Sequence, residues 1–347
     1  MRYIVILLSL GGFAAVTSAH HSTVGFYDPD QVVEINGIVT SVSWRNPHTL
    51  ITLSVLEENS EPVEWRIETG AITVLRSRGL AREFLRPGDQ IKVSGDPSTR
   101  GRPDMFAHNI LLEDGKEVLL TVFSEPRWTG SNNRQLLEPI YSEAAAQRAR
   151  ETADGIFRVW STVFSDPDSF PMFKQDYPLT ASAREARDDW NPKDTTQLGC
   201  PPKGMPEMMD SPFPVEFVRK DNDILIRLEE LDAERLIHMN ADAVVPTEEF
   251  SLTGFATGRW EDDTLIVETI NISYGRFDFS GTPQSKGIRL VERFALSNDG
   301  GRLDYTLTVT DANTFTEPFD LSKYWIWRPE IGLEPFDCDD RTEFYDE

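Results

Sequence analysis

Cysteine is nearly absent from this chain: Cys200 and Cys338 are the only two in 347 residues. Neither has a second cysteine or a histidine close by, which argues against a thiolate zinc site or a reactive dithiol. Basic residues are also scarce, with 34 Lys and Arg against 58 Asp and Glu and a formal charge of −24. Such an acidic chain repels nucleic acid and anionic lipid, whose binding relies on Lys and Arg neutralising phosphates. Beyond the first residues no apolar run reaches the roughly 20 residues that a membrane span needs. Four catalytic signatures are missing as well: G-x-S-x-G, G-x-x-x-x-G-K-[ST], H-E-x-x-H, and G-x-G-x-x-G after a strand. There is no internal repeat and no low-complexity tract.

What is present begins at the N-terminus. Arg2 precedes an apolar run, Ile4–Leu10, and Ala14–Ala19 is a small-residue exit of the kind signal peptidase accepts. Residues 1–19 therefore read as a signal peptide cut near Ala19. No cysteine follows the apolar core, so a lipoprotein is not expected. The mature protein is expected in the periplasm or secreted, not membrane-spanning, in a compartment where disulfides persist. A Cys200–Cys338 disulfide is the expectation that follows.

The remaining chain has room for about two domains. From Val33 to about Leu120 it is rich in β-branched residues in rough alternation: Val33–Trp44, Thr49–Val55, Val63–Glu68, Gln90–Gly95 and Phe106–Leu112, with a short helix from about Ala71 to Arg78. Three strands, a helix and two strands is the order of an OB-like small barrel, assigned to residues 20–122. Asn46-Pro47-His48 breaks the first two strands, because Pro47 has no N–H for a ladder, and places His48 on a corner. Residues 123–153 read as a linker with a helix over about Leu137–Ala153.

Residues 154–347 read as strand after strand, starting at Gly155–Trp160 and ending at Tyr324–Arg328, with turn signals such as Glu261-Asp262-Asp263 and Asn298–Gly301. A surface helix is expected from Ser182 to Trp190. The fold class is thus mainly β, an OB-like barrel followed by an antiparallel β-barrel or sandwich.

The residues with the most chemistry are histidines. Cleavage after Ala19 starts the mature chain at His20-His21-Ser22, and a terminal histidine offers its α-amine and its ring as two donors to one metal. With His48 as a third nitrogen the set suits Cu(II), which favours tetragonal nitrogen ligation and heads the affinity order of divalent first-row metals. The α-amine, with an ordinary pKa of about 7.7–8.0, is freed for ligation more easily than a lysine amine. Cleavage after Ser18 would leave histidine second and third in the chain, which offers a square-planar alternative. The bland reading is a solvated terminus and a corner histidine bonded to a neighbour.

His108 and His238 read as half-buried strand residues. Met205, Met208 and Met209 can attract Cu(I) but fit better as a plug over the second barrel. Asp166-Pro-Asp168 and Asp221-Asn-Asp223 lack the full spacing of a calcium loop and read as solvated turns. Among so many acidic residues, Asp262 with Asp263, Glu268 and Glu292 receive no catalytic role.

Several of these motifs together resemble a family of exported, uncharacterised bacterial proteins: Ala19-His-His-Ser22, Gly37-Ile-Val39, Trp44-Arg-Asn-Pro-His48, Arg86-Pro-Gly-Asp89 and Gly95. The second half, with Gly258-Arg-Trp-Glu-Asp-Asp-Thr-Leu265, resembles the barrel-like domain of longer relatives. They usually carry glycine where this chain has Asp262. The resemblance implies a fold and no established activity. The leading functional expectation is copper binding through His20, His21 and His48. The alternative is a module holding a small apolar molecule in the second barrel. A copper-dependent oxidase is a third reading, for which the sequence names no substrate.

Overall fold

The computed structural model of the protein describes residues 26–56, 61–77, 79–121, 124–128, 130, 143–164, 166–173, 176–190, 201–240 and 249–336. Alternation of apolar and polar residues lays down the first barrel: β1 (Val33–Ser43), β2 (Leu50–Val55), β3 (Val63–Glu68), β4 (Gln90–Pro97) and β5 (Asp104–Leu112). Strand β1 pairs with β2 and β4, β2 with β3 and β4 with β5, all antiparallel, and a parallel β3–β5 pairing closes the ring. Helix α1 (Ile72–Ser77) falls between β3 and β4. This is the OB-like order expected from the sequence. A short β6 (Glu117–Leu119), not anticipated there, extends β5 outside the closed ring. Ile51, Leu53, Ile67, Val93, Met105 and Ile110 fill the interior, each contributing about 1.5–3 kcal/mol of apolar burial.

Two bulges shape this barrel. Thr40 is the extra residue of β1 against β2, and His108 that of β5 against β4, where Ser94 faces Asn109 and Gly95 already faces Ala107. A bulge re-aims the side chain it carries and shifts the inward phase of the strand. Met105 and Ala107 point inward before His108, and Ile110 after it. Gly95 is required at this crossing, since a Cβ there would lie 2.1 Å from the Phe106 carbonyl oxygen.

Helix α2 (Glu143–Glu151) follows in the expected linker, and α3 (Ala181–Asp188) is capped by Thr180, whose hydroxyl accepts from the Ala183 N–H. The second barrel closes nine strands: β7 (Val159–Ser161), β8 (Val215–Lys220), β9 (Asp223–Leu228), β10 (Ala233–His238), β11 (Phe255–Glu261), β12 (Thr264–Ile270), β13 (Arg289–Leu296), β14 (Arg302–Thr310) and β15 (Phe319–Trp327). Sequential neighbours pair, and β15 returns to β7.

Two expectations are corrected here. The barrel is not wholly antiparallel, because β10 and β11 run parallel; the chain between them exceeds the dozen or so residues that a crossover needs. Gly155–Arg158 is a turn rather than strand, with Gly155 at φ 54° and a bridge from Asp154 to Phe157. Cys200 and Cys338, the expected disulfide, lie outside the described residues.

The β11–β12 hairpin closes on Asp262-Asp263, and Asp262 sits at φ 52°, in the left-handed region. A glycine at this position would meet that geometry without a Cβ penalty. Asp262→Gly is expected to raise the unfolding free energy by about 0.5–1 kcal/mol, read as a higher urea midpoint; a lower midpoint would contradict this account of the turn.

The barrels meet through a small apolar cluster and a set of hydrogen bonds. Ala71 packs with Phe213 and Phe336, whose rings lie edge-on with centroids 5.2 Å apart. Arg76 forms an ion pair with Glu334 across the same boundary.

Candidate functional site

The corner between β1 and β2 carries a cis peptide bond at Asn46–Pro47 and then His48. Nδ1 of His48 is ion-paired with Oε1 of Glu68, the last residue of β3. The other carboxylate oxygen, Oε2, accepts a 2.6 Å hydrogen bond from the Tyr27 hydroxyl. Glu68 and Phe106 are cross-strand partners in the parallel β3–β5 pairing. The Phe106 ring therefore lies among three neighbours, with centroids 6.2 Å from His48, 6.1 Å from His108 and 6.1 Å from Tyr27.

Electrostatics favours a charged Glu68. Burial pushes its carboxyl up, but His48, the Tyr27 hydrogen bond and Arg66 together outweigh burial and hold it below the ordinary carboxylate range. Burial, then the adjacent Glu68 charge, pushes the Tyr27 phenol far up, so it stays protonated and donating. A carboxylate on one imidazole nitrogen fixes the tautomer and ring plane and raises the basicity of the other nitrogen. In His48 that other nitrogen is Nε2. The His108 ring is held the opposite way round, with Nε2 3.0 Å from Asp96 Oδ2.

His20 and His21 lie outside the described residues. Among the described residues no group of three His, Cys, Asp or Glu side chains is placed to hold a metal ion, so a metal at His48 needs donors from elsewhere. The chain that bears His20 is anchored nearby. Tyr27 bridges to Ser98, and the Phe26 carbonyl accepts from the Thr99 N–H at 2.8 Å. Tyr27 stands seven positions after His20, a reach of at most about 25 Å when extended.

The other sequence candidates lie in the second barrel. His238 ends β10, with Nδ1 3.2 Å from Asp223 Oδ2 and its ring stacked on Phe255. Met205, Met208 and Met209 are buried in the core of that barrel. Asp221 and Asn222 form the β8–β9 hairpin, with Asp221 at φ 55°.

Reading the sequence missed three groups. Glu68 was only the end of an expected strand there, and Tyr27 received no role. In the second barrel Arg235 and Glu292 form a fully buried pair, Nη1 donating to Oε1 at 2.8 Å and Nη2 bonded to Oε2. Thr269 Oγ1 accepts from Arg235 at 2.6 Å, and Tyr305 donates to Glu292 at 2.9 Å. A second buried pair joins Lys323 Nζ to Asp210 at 3.4 Å. Burial pushes the Lys323 amine down and the Asp210 carboxyl up. Trp160, Trp325, Phe217 and Phe294 are likewise buried in the core of this barrel. A cleft of about 200 Å³ opens at one end, beside Lys203, Met208, Leu231 and Leu252.

The stretch that carries the His48 corner is also the stretch that comparison with known families picks out. Residues 7–105 match the model of DUF6152, a family of unknown function. The match takes in β1 to β4, the His48 corner and Glu68, and ends within β5. No curated protein matches the chain. Within the span matched to DUF6152, Tyr27, His48 and Glu68 form one bonded set. No helix among the described residues is long and apolar enough to cross a membrane.

Proposed function

We propose that this is an exported copper-binding protein, whose metal is held at the His48 corner by the α-amine and ring of a mature N-terminal His20 together with His48 Nε2, with His21 alongside. The observation that supports this reading most is the Tyr27–Glu68–His48 set. A buried carboxylate holds one nitrogen of a corner imidazole, and the same carboxylate is bonded to the residue from which the N-terminal segment departs. A tether of seven positions, at most about 25 Å long when extended, allows both histidine motifs to reach one ion. Three nitrogens in this arrangement suit Cu(II), as tetragonal nitrogen sets do. Copper carriage or sensing is the role this implies.

The second barrel serves in this reading as a folded support. Its described interior is filled by buried side chains, and the alternative reading places an apolar ligand in the cleft beside Leu231. Substituting His20 and His48 separates the two readings, because a ligand in that cleft would still bind.

The test is intact-mass and N-terminal analysis of the exported protein, then Cu(II) titration of the same sample followed by electron paramagnetic resonance. A terminus at His20 and one tight copper with nitrogen coupling, lost in His48→Ala, is the expected result. A different terminus, or weak copper unaffected by His48→Ala, would overturn it.

A further inference from the structure

The corner that carries His48 is held from the other barrel. Asn46, two residues before it, is completely buried. Its Oδ1 accepts from the Ile72 N–H at the start of α1 at 3.0 Å, while Nδ2 donates to Glu229 Oε1 at 3.1 Å and to the Pro335 carbonyl at 3.5 Å. Glu229, 1 % exposed, receives two more donors, Thr73 Oγ1 at 2.5 Å and the Glu334 N–H at 2.9 Å. On the far side of Pro47, His48 is tied to Glu68, and the Thr49 carbonyl accepts from both the N–H and the hydroxyl of Thr69.

The corner is thus a short segment with one end bonded to the second barrel and the other to the first. We infer that Glu229 is a positioning residue for the His48 site, so that metal binding on the first barrel and docking of the second are coupled through Asn46. This rests on the copper reading given above. The physical basis is that Asn46 has no solvent to replace Glu229. Without that acceptor one of the two Nδ2 N–H groups is left buried and unsatisfied, only the longer 3.5 Å contact to the Pro335 carbonyl remains, and the corner relaxes to satisfy it. Linkage then runs both ways: whatever docking contributes to copper affinity, copper returns to docking.

The test uses the exported full-length protein and its Glu229→Ala and Glu229→Gln variants, with Cu(II) as the probe. Gln keeps an acceptor for Asn46 and Thr73 and loses the contact to the Glu334 N–H. The expected result is a copper affinity lowered about fivefold or more in Glu229→Ala, with altered nitrogen coupling in the resonance spectrum, and a smaller loss in Glu229→Gln. A merely structural role would lower the unfolding midpoint and leave the spectrum of the copper-loaded protein unchanged. Because Glu229→Ala could fail to fold, hydrogen exchange of the wild type with and without Cu(II) provides a second reading. Added protection over 229–232 and 333–336 supports the coupling, and protection confined to the first barrel overturns it. Wild type that binds no copper overturns the copper reading itself, whereas equal affinity and equal spectra in wild type and Glu229→Ala overturn only the coupling.

Discussion

Truncation of Arg235 to Ala should destabilise the protein by about 3–5 kcal/mol, the usual cost of breaking a buried ion pair from one side. The loss comes mostly from what is left behind. Glu292 has no exposed surface, and after truncation it keeps only the hydroxyls of Tyr305 and Thr269 as donors. A carboxylate with two neutral donors and no countercharge is poorly compensated in the barrel interior. Replacing both partners together, as Arg235→Met with Glu292→Leu, removes the charge along with its partner and should cost far less, because Leu265, Val267, Phe294 and Leu307 already make the surrounding layer apolar. Urea unfolding of wild type, the single variant and the double variant decides the matter. Equal losses in single and double variants would mean that packing volume, not an uncompensated charge, sets the cost.

That pair was legible in the sequence, though reading each strand by itself passed over it. In Ala233–His238 the inward residues are Arg235 and Ile237; in Arg289–Leu296 they are Leu290, Glu292 and Phe294; around Lys323 they are Leu321 and Trp325. A charged residue standing in the apolar phase of an alternating strand must find a partner or reach solvent. Three such residues in three strands announce buried pairs. Which pairs with which depends on the order around the barrel, and local alternation carries no information about that. The OB-like order was readable for the opposite reason, since its strands show rough alternation of β-branched residues and its helix stands where the order requires. The bulge at His108 was not, because it follows from a glycine on the neighbouring strand. Glu68 was hidden similarly: it stands in the polar phase of a strand that alternates Val63, Trp65 and Ile67 with Glu64 and Arg66, and only the β3–β5 closure places it beside Phe106 and under His48.

Glu68 is consequently where stability and metal affinity should separate most clearly. Glu68→Ala leaves the Tyr27 hydroxyl and His48 Nδ1 without their shared acceptor in a buried place, at about 1–3 kcal/mol for each group. Glu68→Gln keeps an acceptor and removes the charge, so the fold should survive with a smaller loss. On the proposed reading its copper affinity should nevertheless fall about 10–100-fold, the range seen when a residue that orients a ligating histidine is lost.

The pH dependence of stability gives an independent check. The Glu68 carboxyl is held below its ordinary value in the folded protein, so its contribution is complete above the unfolded value of about 4.3. It declines as the pH drops toward the lower folded value, where the native carboxylate also takes up a proton. Glu68→Gln should therefore flatten the acid limb of the stability curve and leave the neutral limb in shape. Copper affinity has its own limb, falling as His48 and the terminal amine take up protons below their pKa values. A Glu68→Gln protein with wild-type copper affinity and an unchanged acid limb would mean that the carboxylate neither orients His48 nor carries charge in the native state.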